Sequence, residues 1–176
     1  MSFEHATPGE FMGWNSAKDL DWNAIYADQL PRVYNYFRFR LGRHTDIEDL
    51  TARTFEKAWR ARSAYSSDLA AFSTWLFKIA QNVGTDYLRS ARNHLPLEAV
   101  PDIAASGTPH EEAEHDSDLA KLARLTAGLT ERERELIALK YGAAISNRLI
   151  ARLTGLSESN VGVILHRAVQ ALRTQW

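Results

Sequence analysis

Residues 146–172 read SNRLIARLTGLSESNVGVILHRAVQAL, and this stretch decides the fold class. It contains two segments with apolar residues at helical spacings of three and four, and each follows a serine suited to the N-cap position, Ser146 or Ser157. Gly155 separates the two segments. The apolar positions are Leu149, Ile150 and Leu153, then Val161, Ile164, Leu165, Ala168 and Leu172. The pattern predicts two helices joined by a tight turn, which is a helix-turn-helix unit.

The second of these helices is predicted to point a polar face outward. Hydroxyl, imidazole, guanidinium and amide groups of this kind contact base edges and phosphates in a DNA major groove. The residues on this face are Ser159, Gly162, Val163, His166, Arg167 and Gln170. The alternative is a packed helix with an ordinary solvated face, and the spacing by itself leaves both open.

The remaining apolar patterns are also helical, so the predicted fold class is all-α. One stripe runs from Trp22 to Leu41, with Pro31 expected to kink or restart the helix and Gly42 to end it. A second amphipathic segment follows a capping-box pattern at Thr45 and Glu48, and a third begins at Phe72 and extends to Arg89 or Arg92. Another helix is predicted from Leu119 through Leu125. A capping box at Thr130 and Glu133 opens the next helix, and Gly142 is expected to stop it.

Charge divides the chain into segments. Residues 93–118 contain three of the five prolines and carry seven acidic residues without a lysine or arginine, whereas residues 22–92 and 119–176 have net charges of +4 and +5. A core-poor, like-charged segment stays extended, and positive surfaces attract phosphate. We therefore expect an N-terminal extension at 1–20, a helical domain at 21–92, a flexible acidic linker at 93–118 and a second helical domain at 119–176.

Several classes of function are excluded or disfavoured by composition. The chain has no cysteine, which rules out disulfides, thiolate metal sites and cysteine nucleophiles. It shows neither a secretory signal nor a membrane-spanning apolar run, so we expect a cytoplasmic protein without membrane insertion. His110 and His115 are five residues apart, which does not match the spacing of a zinc-protease helix. The sequence predicts no metal, no cofactor and no catalytic site.

The third helix carries Lys78, Asn82 and Arg89 opposite its apolar stripe, with Tyr65, Phe72 and Trp75 nearby. Cations that follow a phosphate backbone, combined with rings that stack on bases, suit single-stranded or unstacked nucleic acid. Because Phe72 and Trp75 also lie on the apolar stripe, a purely structural role in the core stays open.

In this order, the two halves resemble one family, the extracytoplasmic-function (ECF) group of bacterial sigma factors, over residues 21–176. Residues 47–59 resemble the helix that docks on core RNA polymerase, and residues 72–82 with 86–89 resemble the helix that melts the promoter. Residues 64–71 match the loop that holds a flipped base of the −10 element. Residues 129–136 and 146–172 resemble the domain that reads the −35 element.

The resemblance implies three sets of site residues. Asp49, Leu50, Arg53, Phe55 and Trp59 are expected to contact core polymerase. The expected −10 contacts are Tyr65, Ser66, Ser67, Asp68, Trp75, Lys78, Asn82, Asp86 and Arg89. The expected −35 contacts are Arg148, Ser157, Ser159, Asn160, Gly162, Val163, His166, Arg167 and Gln170. Gly162, Val163 and Ile164 stand where the family usually has basic or hydroxylic residues, so we expect an altered or weak −35 preference.

The predicted function is therefore that of a sigma factor, which directs core RNA polymerase to promoters and helps to melt the −10 region without being an enzyme itself. The implied partners are the beta and beta-prime subunits of core polymerase, promoter DNA and an anti-sigma factor. Two alternatives stay open: a stand-alone helix-turn-helix regulator that binds its operator as a dimer, and a sigma-like interaction protein with weakened −35 reading. The N-terminal extension is either a flexible tail or a partner-binding segment.

Overall fold

The computed structural model describes residues 21–42, 46–66, 71–94 and 125–175, with the side chains of 92–94 and 175 left out. Every regular element in these ranges is helical, as the apolar spacings predicted. The first domain contains α1 (Trp22–Leu41), α2 (Ile47–Arg60), a short 3₁₀ turn (Arg62–Ala64) and α3 (Phe72–His94). The second contains α4 (Glu131–Ile137), a π-helical turn (Ala138–Gly142), α5 (Asn147–Thr154) and α6 (Glu158–Gln175).

Helix α1 begins where the Asp21 side chain accepts hydrogen bonds from the backbone N–H groups of Asn23 and Ala24. It ends at Gly42, whose φ of 72° lies in the left-handed region that glycine adopts freely. Pro31 was expected to kink or restart this helix. The expected restart is wrong, because the helix continues through Pro31. Pro31 and Ala27 are exposed, so water can solvate the carbonyl that the proline leaves without a donor.

Two other expected boundaries differ from the structure. Helix α2 has Asp46 at its N-cap, with no side-chain hydrogen bond to the helix, and Thr45 of the expected capping box lies outside the described residues. Helix α3 continues to His94, beyond the expected end at Arg89 or Arg92 and into the predicted linker. The expected extension at 1–20, most of the linker and the start of the helix at Leu119 also lie outside the described residues.

In the second domain, α4 starts with the capping box predicted at Thr130 and Glu133. The Glu133 N–H donates to the Thr130 hydroxyl at 3.3 Å, and the Thr130 N–H donates to the Glu133 carboxylate at 2.9 Å. Gly142 ends the helical segment as expected, but its role is different from that of a left-handed cap. A Cβ at this position would lie 2.7 Å from the carbonyl oxygen of Asn35 in α1. Glycine is needed here because two backbones approach closely.

The two domains pack against each other around one continuous apolar core. Helix α1 contacts α2 and α3 on one side and the π-helical turn and α4 on the other, while α3 also contacts α5. Tyr36, Phe37 and Phe77 of the first domain are fully buried, as are Leu139 and Ile150 of the second. The second domain therefore packs mainly on helix α1.

Candidate nucleic-acid and polymerase interfaces

The helix-turn-helix unit has the local geometry that its sequence predicts. The Ser146 hydroxyl accepts from the Leu149 N–H at 3.4 Å, and the Ser157 hydroxyl accepts from the Asn160 N–H at 3.2 Å. Gly155 has a φ of 73° and caps α5, with its N–H donating to the Ala151 carbonyl at 2.9 Å. These contacts satisfy orphan backbone groups at the helix ends.

Helix α6 buries one face and exposes the other. Val161, Leu165 and Ala168 are buried, whereas Ile164 and Leu172 are half-buried. The opposite side places Val163, His166, Arg167 and Gln170 in solvent, with 44% of Val163 exposed. Of the other residues expected at the −35 element, Arg148, Ser157, Ser159 and Asn160 are exposed and Gly162 is half-buried. Each residue of the expected −35 set therefore keeps accessible surface, although Gly162 does so only in part.

Helix α3 presents a polar stripe. Lys78, Asn82, Asp86 and Arg89 follow one another at helical spacings of four and three, and all four side chains are exposed. The Asp86 carboxylate is 3.9 Å from the Lys57 ammonium group of α2, and both side chains are largely in solvent. The Lys78 and Arg89 cations and the Asn82 amide can contact phosphates and base edges, whereas the Asp86 carboxylate between them repels phosphate.

An aromatic cluster lies at the start of α3. The ring centroid of Tyr65 is 5.4 Å from that of Phe72 and 5.2 Å from that of Trp75, and Phe72 is 5.7 Å from Trp22. Tyr65, Ser66, Phe72 and Trp75 are half-buried, so the rings pack and also keep an accessible side. Partial burial raises the pKa of the Tyr65 phenol, which therefore stays neutral. Ser67 and Asp68 of the expected −10 set lie outside the described residues.

The expected polymerase-docking set on α2 is divided between surface and core. Asp49 and Arg53 are exposed, and Trp59 is 49% exposed with the guanidinium of Arg62 4.0 Å above its ring. Leu50 and Phe55, by contrast, are buried among the helices of the first domain. These two side chains pack α2 onto the first domain and, at 1% and 8% exposure, leave little surface for direct contact with a partner.

A buried charged cluster, which the sequence patterns did not indicate, joins the two domains. The Glu135 carboxylate of α4 is 2.7 Å from Nε of Arg40 and accepts hydrogen bonds from the Tyr36 hydroxyl at 2.8 Å and from the Gln81 amide at 3.0 Å. Arg40 also donates to the Tyr36 hydroxyl at 2.6 Å and to Thr85 Oγ1 at 3.2 Å. Burial, with the Glu135 charge second, raises the pKa of Tyr36 well above its ordinary value.

Arg134 stabilises the turn before α4. Its guanidinium donates to the backbone carbonyls of Thr126 at 3.1 Å, Ala127 at 3.2 Å and Leu129 at 3.0 Å. Burial lowers the pKa of this guanidinium, but the group stays charged at any physiological pH. Three carbonyls on one cation fix the segment that precedes the helix-turn-helix.

Two further properties concern the described ranges only. In residues 21–42, 46–66, 71–94 and 125–175, no group of three or more His, Asp or Glu side chains is placed to hold a metal ion. Within the same part of the chain, none of the helices has both the length and the apolar character needed to span a membrane.

Comparison with known proteins defines the class. The Sigma-70 region 2 family matches residues 25–94, which include nearly all of α1 together with α2 and α3, and the Sigma-70 region 4 family matches residues 119–172, which include the helix-turn-helix. The ECF RNA polymerase sigma factor SigL of Mycobacterium tuberculosis is 31% identical over 155 residues, which cover 85% of each chain. This chain belongs to the family of ECF RNA polymerase sigma factors, the promoter-directing subunits of bacterial RNA polymerase.

Two other similar proteins are a further sigma factor and a solved structure. The ECF sigma factor BldN of Streptomyces coelicolor is 26% identical over 84% of this chain, and the match spans 57% of the length of BldN. The solved structure of CnrH in complex with the cytosolic domain of CnrY superposes with a TM-score of 0.69 at 23% identity, over 90% of both chains. The similarity to the CnrH structure confirms the helical fold.

Proposed function

We propose that this chain binds core RNA polymerase and directs it to promoters by reading duplex DNA at the −35 element and capturing melted DNA at the −10 element. The observation that carries the proposal is the helix-turn-helix, in which Ser157 caps α6 and burial of Val161 and Leu165 turns His166 and Arg167 outward. A capped helix with such a face fits the width of a major groove.

The −35 element is read by α6 in this proposal. Arg167 contacts a phosphate or a guanine edge, Gln170 and His166 donate to or accept from base edges, and Val163 packs on a thymine methyl group. Gly162 adds no side chain, so the backbone of α6 can come close to the DNA. Specificity rests on few polar side chains, which favours a degenerate −35 sequence.

The −10 element is captured by α3 and the aromatic cluster. Lys78 and Arg89 follow the phosphates of the unpaired strand, Asn82 contacts a flipped base, and Tyr65 or Trp75 stacks on bases through its accessible side. Taking one base out of the duplex costs a few kcal/mol, and stacking contributes roughly 1–3 kcal/mol per base in return. Melting therefore proceeds from strand capture and needs no nucleotide hydrolysis by this chain.

Polymerase is contacted by the exposed face of α2. Asp49 and Arg53 supply charged contacts, and Trp59 with its stacked Arg62 supplies the large half-exposed ring that interface hot spots favour. The beta and beta-prime subunits are the partners for this face. Because residues 22–92 and 119–176 carry net charges of only +4 and +5, each domain binds DNA weakly, and polymerase is needed to present both together.

Three broader properties belong to the same proposal. The chain is not an enzyme, because nucleotide addition belongs to the polymerase. It acts in the bacterial cytoplasm, where core polymerase and the chromosome are. An anti-sigma factor is proposed as a further partner, since a similar solved structure is that of the sigma factor RpoE in complex with the anti-sigma factor NepR from Bartonella quintana.

Run-off transcription with core RNA polymerase on a library of genomic fragments tests the proposal. With the protein present, we expect transcripts whose start sites follow two spaced motifs, and the same reaction without it should lack them. Replacing Lys78 and Asn82 with alanine should reduce open complexes while leaving binding to core polymerase intact, because both side chains are exposed and lie outside the core. Circular dichroism checks the fold of the variant. Unchanged yield of open complexes from a folded variant would contradict the −10 assignment.

A further inference from the structure

We infer that the N-terminal extension binds back onto the first domain, where residues 11–14 cover the Trp59 ring. They bind an aromatic strip, which we define as the four rings of Trp22, Tyr26, Phe55 and Trp59 in the groove between α1 and α2. The binding itself does not depend on the proposed function. Its consequence, that the extension competes with core polymerase for Trp59, rests on the proposed function.

The aromatic strip consists of two edge-to-face ring pairs. The ring centroids of Trp22 and Trp59 are 5.2 Å apart, and those of Tyr26 and Phe55 are 4.7 Å apart. Within each helix the two residues are four positions apart, so the pairs follow one another along the groove at a spacing of one helical turn. Phe55 is buried and Trp22 is half-buried, whereas Tyr26 is 46% exposed and Trp59 is 49% exposed. Two large rings of the strip are therefore open to a partner.

Exposed apolar side chains are concentrated in this strip. In the parts of the chain that the structure describes, four large apolar side chains are exposed, and Tyr26 and Trp59 are two of them. The other two, Tyr141 and Val163, lie in the second domain. Single exposed apolar side chains are ordinary on a protein surface, whereas neighbouring ones rimmed by polar groups mark a binding site. The strip therefore has the character of a docking surface.

The N-terminal extension is the occupant nearest to this surface. It joins the fold at Asp21, which caps α1, and the next residue, Trp22, packs on Trp59. The chain therefore enters the first domain at the end of the strip where the Trp59 ring lies. Any segment shortly before Asp21 is kept close to that ring by its covalent connection.

Residues 11–14 are the part of the extension suited to cover the strip. They lie outside the described residues, and their sequence is Phe-Met-Gly-Trp, which has three large apolar side chains and one glycine. The seven-residue connection from Trp14 to Asp21 spans at most about 25 Å, whereas Tyr26 lies only about 6 Å further along α1 than Trp22. All four rings are thus within reach. A connection this short gives an effective concentration of roughly millimolar.

Charge distinguishes the extension from a second copy of the strip as the occupant. Residues 1–20 contain three acidic residues and one lysine, and Glu10 directly precedes Phe11. Beside the strip, the guanidinium of Arg62 lies 4.0 Å above the Trp59 ring and donates to the Trp59 carbonyl at 2.7 Å. An acidic segment is attracted to this cation, whereas a second copy of the strip would bring another Arg62 against it.

A docked extension is a competitor of core polymerase. The Trp59 ring, which the proposed function assigns to polymerase contact, is then covered by a segment of the same chain. The competitor has the same effective concentration at every protein concentration, and the apparent affinity for polymerase falls in proportion to the undocked fraction. Polymerase binding at Trp59 therefore requires that the extension be displaced.

The first measurement is the distance between two spin labels in the chain of 176 residues. Because the chain has no cysteine, labels can be attached at Gly9→Cys, two residues before the docking segment, and at Glu48→Cys, which is exposed in the first turn of α2. A free connection of twelve residues from Gly9 to Asp21 has a root-mean-square length of roughly 20 Å and gives a similarly broad distance distribution. For a docked extension, pulsed electron spin resonance should give one peak no more than about half as wide.

Substitutions on both sides of the contact test the docking. Trp14→Ser should broaden the peak to that of a free connection, and Phe3→Ser is its matched control, because it removes a ring from the same extension outside residues 11–14. Tyr26→Gln should also broaden the peak, whereas Tyr141→Gln, which removes a similarly exposed tyrosine from the second domain, should not. Tyr26 also packs on α2, so circular dichroism checks the fold of its variant. Trp14→Ser keeps the test valid if Tyr26→Gln does not fold.

The second measurement is binding to immobilised core RNA polymerase by surface plasmon resonance. Trp14→Ser should bind several-fold more tightly than the unchanged protein, up to about tenfold if the extension is docked ten times as often as it is free. Phe3→Ser should bind like the unchanged protein. In a Trp59→Ala background, Trp14→Ser should give no gain, because the ring for which the extension and polymerase compete is absent.

Each result supports or overturns a defined step. A peak in the unchanged protein as broad as that of a free connection overturns the docking, and so does a narrow peak that neither Trp14→Ser nor Tyr26→Gln broadens. A peak that narrows as the protein concentration rises assigns the strip to a second copy and overturns the extension as its occupant. Docking without tighter polymerase binding by Trp14→Ser overturns the competition alone. If the unchanged protein and all variants fail to bind polymerase, the proposed function is contradicted, while the docking, which is measured without polymerase, stands.

Discussion

Replacing Arg40 with methionine should destabilise the protein strongly. The guanidinium makes an ion pair and three further hydrogen bonds from a position that is 5% exposed. Methionine fills much of the same volume but leaves Glu135 without a countercharge, with only the Tyr36 hydroxyl and the Gln81 amide as donors. Breaking a buried pair in this way costs about 3–5 kcal/mol, whereas replacing both partners by apolar groups is often nearly neutral.

The magnitude can be measured by urea unfolding followed by circular dichroism. A loss of this size corresponds to a fall in Tm of roughly 6–20 °C for a chain of this length. The double variant Arg40→Met with Glu135→Met should recover part of the loss, with a coupling energy of about 1–3 kcal/mol. The domains can also relieve the strain by separating, so sedimentation velocity should be run on the same samples.

If Arg40→Met unfolds within about 0.5 kcal/mol of the unchanged protein, as a surface substitution does, and sediments as a compact particle, the cluster has no structural importance. If the double variant is no more stable than Arg40→Met, the loss arises from packing around the arginine and does not come from an unpaired Glu135.

Two other substitutions and one titration test further details. Gly142→Ala should cost about 1–3 kcal/mol and enlarge the hydrodynamic radius, because its Cβ would lie 2.7 Å from the Asn35 carbonyl; a compact, fully stable variant would contradict the close approach. Gly155→Ala should cost about 1–2 kcal/mol without enlarging the particle, since its φ is 73° and a Cβ there meets nothing within 4 Å. Burial, followed by a hydrogen bond to Asp46, raises the pKa of the Tyr87 phenol to about 12 in the folded protein, from an ordinary value of 10. The neutral phenol therefore contributes fully to the free energy of unfolding below pH 10, and this contribution is lost as the pH rises through 12. Tyr87→Phe should therefore reduce the fall in unfolding free energy over that range, and an identical fall would show that Tyr87 ionises equally in both states.

The elements that the sequence predicted correctly depend on neighbouring residues. A serine cap, a capping box and a glycine in the left-handed region each act within one helical turn, so Ser146, Ser157, Thr130, Glu133 and Gly155 could be identified from spacing. The apolar face of α6 followed from the same kind of local periodicity. The residues expected to contact core polymerase and the two promoter elements came from the family resemblance, because local periodicity does not indicate function.

What the sequence could not predict depends on residues far apart in the chain. Glu135 looks like a surface charge in the run ERERE, and Arg40 like a basic residue near a helix end, yet 95 positions separate them. Their pairing depends on how two domains dock, and periodicity carries no information about docking. The same limit applies to Gly142, whose requirement arises from Asn35, and to Leu50 and Phe55, which belong to the core although the motif around them suggested a contact surface.

The three hydrogen bonds of Arg134 have a mechanical consequence. They fasten Thr126, Ala127 and Leu129 to α4, directly before the helix begins. A force on the residues before Thr126 is therefore transmitted directly to α4, because the intervening turn is held and cannot extend. The force acts at Arg134, one residue away from Glu135. Tension in the connecting chain, such as that produced when two bound domains are drawn apart, acts directly on the residue that joins them.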